Sequence, residues 1–458
     1  MSNEINLLYR FAPEVKTLSR DDTRLGIEVE GWKTLSFTTA TNFHADAIEA
    51  LSDSGATLEK LQHIAAGTGS VPDGKEAICY YIERFSQARL LHWELVQDGE
   101  SLARVTPLAA GYRPHPDPLP TQRLSLCRFA YIRNTSEGLV LESSLVRACI
   151  HLNPRGMELV SQALAQPHLD AKNIMAGILW RLGFFDVENP QEDNSRKCWE
   201  FHDILMHETS RFNRDLPGGG TYRFKDKFAA APAKKEAMPG ERINLPVVDI
   251  SKIKAISNSL DEVQPRRKSV RSYSTKSIDL STLSEFLWRV ARTTAAPWSN
   301  GPQELMSRAY PAGGSINELE FYVAVRRCEG LDPAFYHYDS HHHGLVRLKH
   351  TEKLASKIVE SSGGAMGLKP EEAKPDVTIV VSSRLPRLAW KYERMAYRAS
   401  LLHAGVVIEL MYLVATDMKL APCANGSGDS RLFEQATGLN QFEETSIAEF
   451  CLGMLKES

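Results

Sequence analysis

Tyr310-Pro311-Ala312-Gly313-Gly314-Ser315-Ile316-Asn317 leads, after Glu318, into Leu319-Glu-Phe-Tyr-Val-Ala-Val-Arg326. The second stretch is rich in apolar and β-branched residues and reads as a strand. The two glycines before it let the backbone come close to a planar ligand, and Ser315 and Asn317 can hydrogen-bond a ring edge. A plain turn has the same composition, so this stretch leaves both readings open.

Three further segments carry chemistry in the same half of the chain. Arg266-Arg267-Lys268-Ser269-Val270-Arg271-Ser272-Tyr273 packs four cations and two serine hydroxyls together, ahead of a helical pattern over Leu280–Arg292. Phosphate binding needs that mixture of guanidinium forks and small donors; alone, the segment reads more simply as a solvated basic turn. Pro422-Cys423-Ala424-Asn425-Gly426, inside the small-residue run Leu420–Gly428, offers amide donors to a cofactor ring or a phosphate, or a glycine cap after a helix. Trp390-Lys391-Tyr392-Glu393-Arg394 opens a helical pattern that runs to Asp417, with Arg394 and Arg398 spaced as surface cations. Without the other three it implies no function. A second strand pattern covers Val377–Ser382.

In order and spacing these segments resemble the FMN-dependent nitroreductase superfamily. Arg267-Lys268-Ser269-Val270-Arg271 looks like its Arg-x-Ser-x-Arg/Lys motif. The run from Tyr310 to Tyr322 resembles the SagB-type azoline dehydrogenases of ribosomal peptide biosynthesis, in which it commonly reads Tyr-Pro-Ser-Gly-Gly. Phe335-Tyr-His-Tyr-Asp339 is similar to a Tyr-x-Tyr strand of that family. Trp199-Glu-Phe-His-Asp203 and Gly218-Gly-Gly-Thr-Tyr222 look like the stretch upstream of its catalytic domain, so the likeness spans residues 199–458. Two departures stand out: Ala312 replaces the usual Ser, and the only late basic residue for the phosphate is Arg431.

The resemblance implies an α+β fold, with a nitroreductase-like domain whose central sheet is flanked by helices. It implies FMN at a homodimer interface, held by Arg267, Lys268, Ser269, Arg271, Pro311, Ala312, Gly313, Gly314, Ser315, Asn317, Pro422, Cys423, Ala424, Asn425 and Gly426. Lys391 and Tyr392 fall where the family carries its catalytic pair, one as base and the other as positioning group, in either order. The implied reaction is oxidation of a thiazoline or oxazoline in a modified precursor peptide to the azole. Oxygen would be the electron acceptor, a cyclodehydratase a further partner, and no metal is involved. Two other readings remain: an NAD(P)H-dependent nitroreductase, which has no use for the long N-terminal region, and a flavin-free scaffold that binds a leader peptide.

That N-terminal region carries an internal repeat. Leu8-Tyr-Arg-Phe-Ala12 returns as Leu126-Cys-Arg-Phe-Ala130, and each copy continues with a strand pattern, helical patterns ending in leucine, and a closing apolar run. This reads as two small winged-helix-like modules over 1–115 and 122–200, similar to the peptide-recognition-like domains of cyanobactin thiazoline oxidases. The proline-rich Tyr112–Thr121 separates them. Residues 201–244 read as a linker, with the main boundary near 240, because Ala, Pro, Gly and Lys dominate there and little can anchor a core. The FMN domain then covers 245–458.

Composition excludes several classes. Lys and Arg number 54 against 57 Asp and Glu, so no global basic field points to nucleic acid. No apolar run approaches the ~18–20 residues that span a bilayer; the longest, Ala404–Ala415, is broken by Glu409. The first fifteen residues lack the basic start and apolar stretch of a secretory signal. Seven scattered cysteines without a CxxC point to reducing cytoplasm rather than a disulfide framework.

Overall fold

The computed structural model describes residues 5–30, 34–52, 55–67, 74–109, 111–114, 120–165, 174–187, 194–211, 218–299, 301–369, 372 and 374–456. Residues 115–119 of the proline-rich separator and residues 212–217 of the expected linker lie outside them. The chain divides into two units, Met1–Leu216 and Pro217–Ser458.

In the first unit, β1 (Ile5–Phe11), β2 (Val15–Asp21), β3 (Arg24–Val29) and β4 (Leu35–Thr38) precede α1 (Asn42–Glu49), α2 (Leu58–Ala66) and α3 (Gly74–Gln87), and β5 (Leu91–Gln97) and β6 (Glu100–Pro107) follow. The order returns in β7 (Leu124–Leu126), β8 (Ala130–Thr135), β9 (Gly138–Ser143), β10 (Ala148–Leu152), α4 (Pro154–Leu164), α5 (Ile174–Arg181) and β11 (Phe185–Val187). Local chemistry starts the helices: Thr41, Thr57 and Asn153 cap α1, α2 and α4 through their side chains, and Pro154 opens α4. Each copy ends its last helix the same way. Leu90 N–H donates to Phe85 O at 2.9 Å and Phe184 N–H to Leu179 O at 2.8 Å, each after a left-handed residue, Arg89 or Gly183. The strand that follows pairs antiparallel with the copy's first strand, β5 with β1 and β11 with β7.

Two sequence expectations are corrected here. Ala12 N–H bonds Leu90 O and Cys127 N–H bonds Phe184 O, so Ala12 is equivalent to Cys127. The five-letter match, which would pair Ala12 with Ala130, is three residues out of register, although the order of elements does repeat. Nor are the copies separate bodies. β6 pairs with β10, joining both into one sheet of order β1-β5-β6-β10-β9-β8. Trp93, Leu95 and Val105 share a core with Leu141, Ile150 and Leu179. An unpaired β6 would leave an open edge, and β10 closes it.

After α6 (Asn194–Lys197), the expected linker also contains regular structure: α7 (Phe201–Thr209) closes the first unit, and β12 (Glu241–Asn244) is an edge strand of the second. There, α8 (Ile250–Ile256), α9 (Leu260–Val263), α10 (Leu280–Ala291), β13 (Thr293–Ser299), β14 (Glu304–Arg308), β15 (Leu319–Val325), β16 (Ala334–Asp339), β17 (Gly344–Arg347), α11 (Glu352–Ala365), β18 (Val377–Ser383), α12 (Leu385–Ala389), α13 (Ala396–Asp417), β19 (Leu420–Asn425), α14 (Ser430–Thr437) and β20 (Thr445–Met454) follow in order. Seven antiparallel strands form one sheet, β12-β17-β16-β15-β18-β20-β19. β15 and β18 are buried along their whole length, which explains why their sequences are apolar almost throughout. Leu319, Phe321 and Val323 face a core shared with Phe286 of α10 and Val407 and Met411 of α13. Tyr322 and Ala324 face Ile358 of α11 and Phe433 of α14. By length and composition α13 could cross a membrane, but half of its apolar window is buried inside this unit, as befits a core helix.

Residues 229–237 are rich in Ala, Pro and Lys, and Ala231, Pro232 and Ala233 are anchored through their main chain. Arg384 donates to Pro232 O at 2.9 Å and Ala233 O at 3.3 Å. The fully buried Arg387 donates to Ala231 O and Glu304 O, both at 2.6 Å, and to Ile316 O at 2.9 Å. Burial, with Arg384 nearby, pushes the Arg387 guanidinium down to about 10. Arg387→Met would leave three carbonyls without their donor at about 1–3 kcal/mol each. We expect it to lower unfolding free energy by about 3 kcal/mol or more, read from the urea midpoint; a loss below about 1 kcal/mol would contradict this anchoring.

Candidate functional site

The four segments assemble into two clusters, both pinned to α13. In the first, Val270 N–H donates to Pro422 O at 2.7 Å, which zips the basic segment to β19. Tyr412 Oη lies 2.8 Å from Ser269 Oγ and receives Ala424 N–H, also at 2.8 Å. The Arg267 guanidinium stacks over the Tyr412 ring at 5.3 Å. Among the described residues, none of Arg267, Lys268 and Arg271 makes an ion pair, so three cations stand here uncompensated. The cluster fits a phosphate: free guanidinium forks beside hydroxyls and main-chain amides.

In the second, Gly314 adopts φ +59°, a left-handed conformation that glycine accepts without steric cost. A Cβ at this position would fall 2.7 Å from Tyr392 Oη and closer still to Lys391 Nζ. Both polar tips therefore lean over the bare glycine. Lys391 Nζ also lies 5.6 Å from the Tyr222 ring and 5.2 Å from the Tyr392 ring, and among the described residues it has no carboxylate partner. The loop is fixed from below. Gly313 N–H donates to His403 Nε2 at 2.8 Å, and His403 Nδ1 lies 2.8 Å from Glu318 Oε1. Since Nε2 accepts, the ring proton sits on Nδ1 and is donated to the carboxylate.

His403 and Tyr412 stand nine residues apart on α13, about 13.5 Å along the axis and half a turn around it. The two clusters thus hang on opposite sides of one helix. The exposed Tyr397 and Leu401 lie on the Tyr412 side of α13, and the exposed Leu402 and Val406 carry the apolar surface round towards His403.

Several residues singled out from sequence lie elsewhere. Lys391 and Tyr392 do not start a helix; α13 begins at Ala396. The pair sits in a turn held by Tyr222 N–H on Lys391 O at 3.2 Å and by paired main-chain bonds between Gly219 and Glu393. Asn317 is buried and gives its amide to Met306 O, which makes it a brace for β14. Asn425 donates to Glu449 at 2.9 Å and receives Ser427 N–H. Arg431, the late phosphate candidate, is exposed and forms a local pair with Asp429. Pro311, Ala312 and Ser315 flank the glycine loop, Cys423 is buried, and a Cβ on Gly426 would meet open space. Tyr222, Glu318, His403 and Tyr412 were missed. The signal available was a buried-type polar residue inside an apolar run, which His403 and Tyr412 both provide.

Residues 265–454 match the family model described as nitroreductase family, and residues 124–216 match that described as cyanobactin oxidase ThcOx. No curated protein matches the chain. Among solved structures, one described as a nitroreductase from Ralstonia eutropha is 20% identical, covering 53% of this chain and 100% of that one, with a TM-score of 0.38. One so described from Anabaena variabilis is 19% identical, with 54% and 45% covered and a TM-score of 0.37. The E. coli microcin synthetase McbBCD complex with truncated pro-MccB17 is 17% identical, with 53% and 89% covered and a TM-score of 0.36. The nitroreductase-family match thus falls in the second unit and the cyanobactin oxidase match in the first.

Gly314→Ala tests the second cluster. The added methyl meets both a left-handed backbone and two polar tips, so a destabilisation of about 1 kcal/mol or more is expected from the urea midpoint. A crystal structure of the variant should show Lys391 Nζ displaced. An unchanged midpoint with Lys391 in place would contradict the geometry.

Proposed function

We propose that the chain is an FMN-dependent oxidase of azoline rings in a ribosomally made peptide, turning thiazolines or oxazolines into thiazoles or oxazoles. One observation carries this reading: Lys391 Nζ and Tyr392 Oη converge on the left-handed glycine of a nitroreductase-family domain, in a chain that also carries a cyanobactin oxidase region.

Arg267, Arg271 and Ser269 would hold the FMN phosphate, and the bare backbone at Gly313 and Gly314 would face its ring. When bound, FMN supplies the two-electron acceptor, with oxygen as the final oxidant. Aromatising the azoline removes a proton from Cα and, as hydride, a hydrogen with two electrons from Cβ. Lys391 Nζ, free of a carboxylate, is placed to take the Cα proton, and Tyr392 Oη to orient the ring; the two could exchange these roles. The His403–Glu318 pair holds the loop against which the substrate would lie. The opposite-sided clusters and the exposed apolar residues between Tyr397 and Val406 favour a homodimer in which one chain's cations and its partner's glycine loop complete each site. An azoline-bearing precursor peptide and a cyclodehydratase are the partners this activity needs, in the cytoplasm.

The test is turnover of a thiazoline peptide, read by mass spectrometry as loss of two hydrogens. Lys391→Ala and Tyr392→Phe should stay folded and yellow but turn over about a hundred- to ten-thousandfold more slowly. A colourless Lys391→Ala protein would move that residue to cofactor binding, and full turnover in a yellow one would place the base elsewhere.

A further inference from the structure

On the α11/α14 face of the sheet, away from α13, the second unit holds a cavity of about 450 Å³ that neither cluster uses. Its size falls in the ~300–1,000 Å³ range of small-molecule sites. Lys234 and Arg242 stand exposed on its lining, while Arg308, Glu320 and His337 are 6%, 2% and 4% exposed.

The deep groups are unusually short of partners. Arg308 donates through its terminal nitrogens to Ala291 O at 3.1 Å and Leu319 O at 3.5 Å, but its Nε, both ring nitrogens of His337 and His341 Nε2 are buried with no hydrogen bond. His337 Nε2 is 3.6 Å from Glu320 Oε2, too far for one. Buried polar atoms are nearly always satisfied, so this concentration calls for a missing acceptor. Glu320 does not supply it, since Arg308 and Arg384 both approach that carboxylate, each at 3.5 Å. Asp339 is taken by Arg242 at 3.0 Å, and Glu444 by Lys235. Lys234 makes no ion pair among the described residues, and Glu236 is the remaining carboxylate of the lining.

The field agrees with the geometry. Burial alone would raise the Glu320 carboxyl, yet Arg308, His337 and Arg384 hold it well below the usual range. Burial, then Arg308 and Lys234, push the His341 imidazole down. The Glu320 shift marks positive charge around that carboxylate, and the His341 shift is led by burial, with Arg308 and Lys234 adding to it.

We propose that this cavity is a second anion site, binding a phosphate group through Arg308, His337 and His341 with Lys234 at the mouth. The ligand chemistry is a phosphate dianion, either free or as the head of a small phosphomonoester, for which the volume leaves room. The arrangement differs from the cluster around Arg271: its donors are buried ring and guanidinium nitrogens, and no main-chain amide of β19 takes part.

The experiment is calorimetric titration of the full-length chain carrying Arg267→Ala and Arg271→Ala, which removes the other cation cluster. Inorganic phosphate, glycerol phosphate and acetate are the probes. Saturable binding of phosphate or glycerol phosphate with Kd below about 1 mM is expected, and acetate should bind at least tenfold more weakly. Tighter glycerol phosphate identifies a phosphomonoester site; equal or tighter inorganic phosphate identifies a free-phosphate site. Adding Lys234→Ala, a surface change that leaves the core intact, or His337→Phe, which keeps the ring volume, should weaken binding at least tenfold. No saturation by about 10 mM, equal affinity for acetate, or affinity unmoved by Lys234→Ala would overturn the proposal.

Discussion

Two hydrogen bonds to the side chains of one helix organise this domain: Gly313 N–H to His403 Nε2, and Ala424 N–H to Tyr412 Oη. Both acceptors are buried on α13, where low dielectric strengthens a satisfied bond and penalises a lost one. The first bond ties down the small-residue loop at Gly313, and the second ties the end of β19 to the helix beside the basic segment. Since the helix is rigid, the separation of its two acceptors, about 13.5 Å and half a turn, becomes the separation of the clusters.

That separation shapes the functional reading. Opposite sides of a single core helix are poorly placed for one ligand to touch both within one chain. Of the exposed apolar residues of α13, Tyr397 and Leu401 lie on the side where Arg267 and Arg271 stand uncompensated, which is where the proposed second copy would seat. The proposed sharing of a cofactor between two chains would reconcile these facts.

Much of the second unit was legible in sequence because its periodicities are strong. β15, β18 and α10 lie within a residue or two of their expected bounds, since apolar strands and amphipathic helices carry their burial in their letters. What was not legible depends on contacts distant in sequence. The start of α13 slipped from Tyr392 to Ala396 because the main chain of Gly219 and Tyr222 captures the turn. Residues 218–240 read as a linker because their anchors, Arg384 and Arg387, belong to a later segment. In the first unit the order of elements repeats, but the letters that suggested the repeat are out of register, and an edge pairing of β6 with β10 merges what looked like two bodies. Within the candidate site, Lys391 and Tyr392 gather at Gly313 and Gly314, while the Arg267–Arg271 segment gathers with Pro422 and Ala424 on the other side of α13. Asn317, Asn425 and Arg431 do not, because local acceptors claim their side chains.

The central claim is that one chain's basic segment and its partner's glycine loop share a flavin. The direct measurement is flavin stoichiometry in a purified mixed dimer, one chain carrying Arg267→Ala and Arg271→Ala and the other Gly314→Val. Each variant alone should be colourless. The mixed dimer should hold one flavin per two chains, because one of its two sites combines an intact basic segment with an intact glycine loop from the other chain. A colourless mixed dimer, with wild-type dimers yellow, would mean that both clusters serve the same chain and would contradict the account.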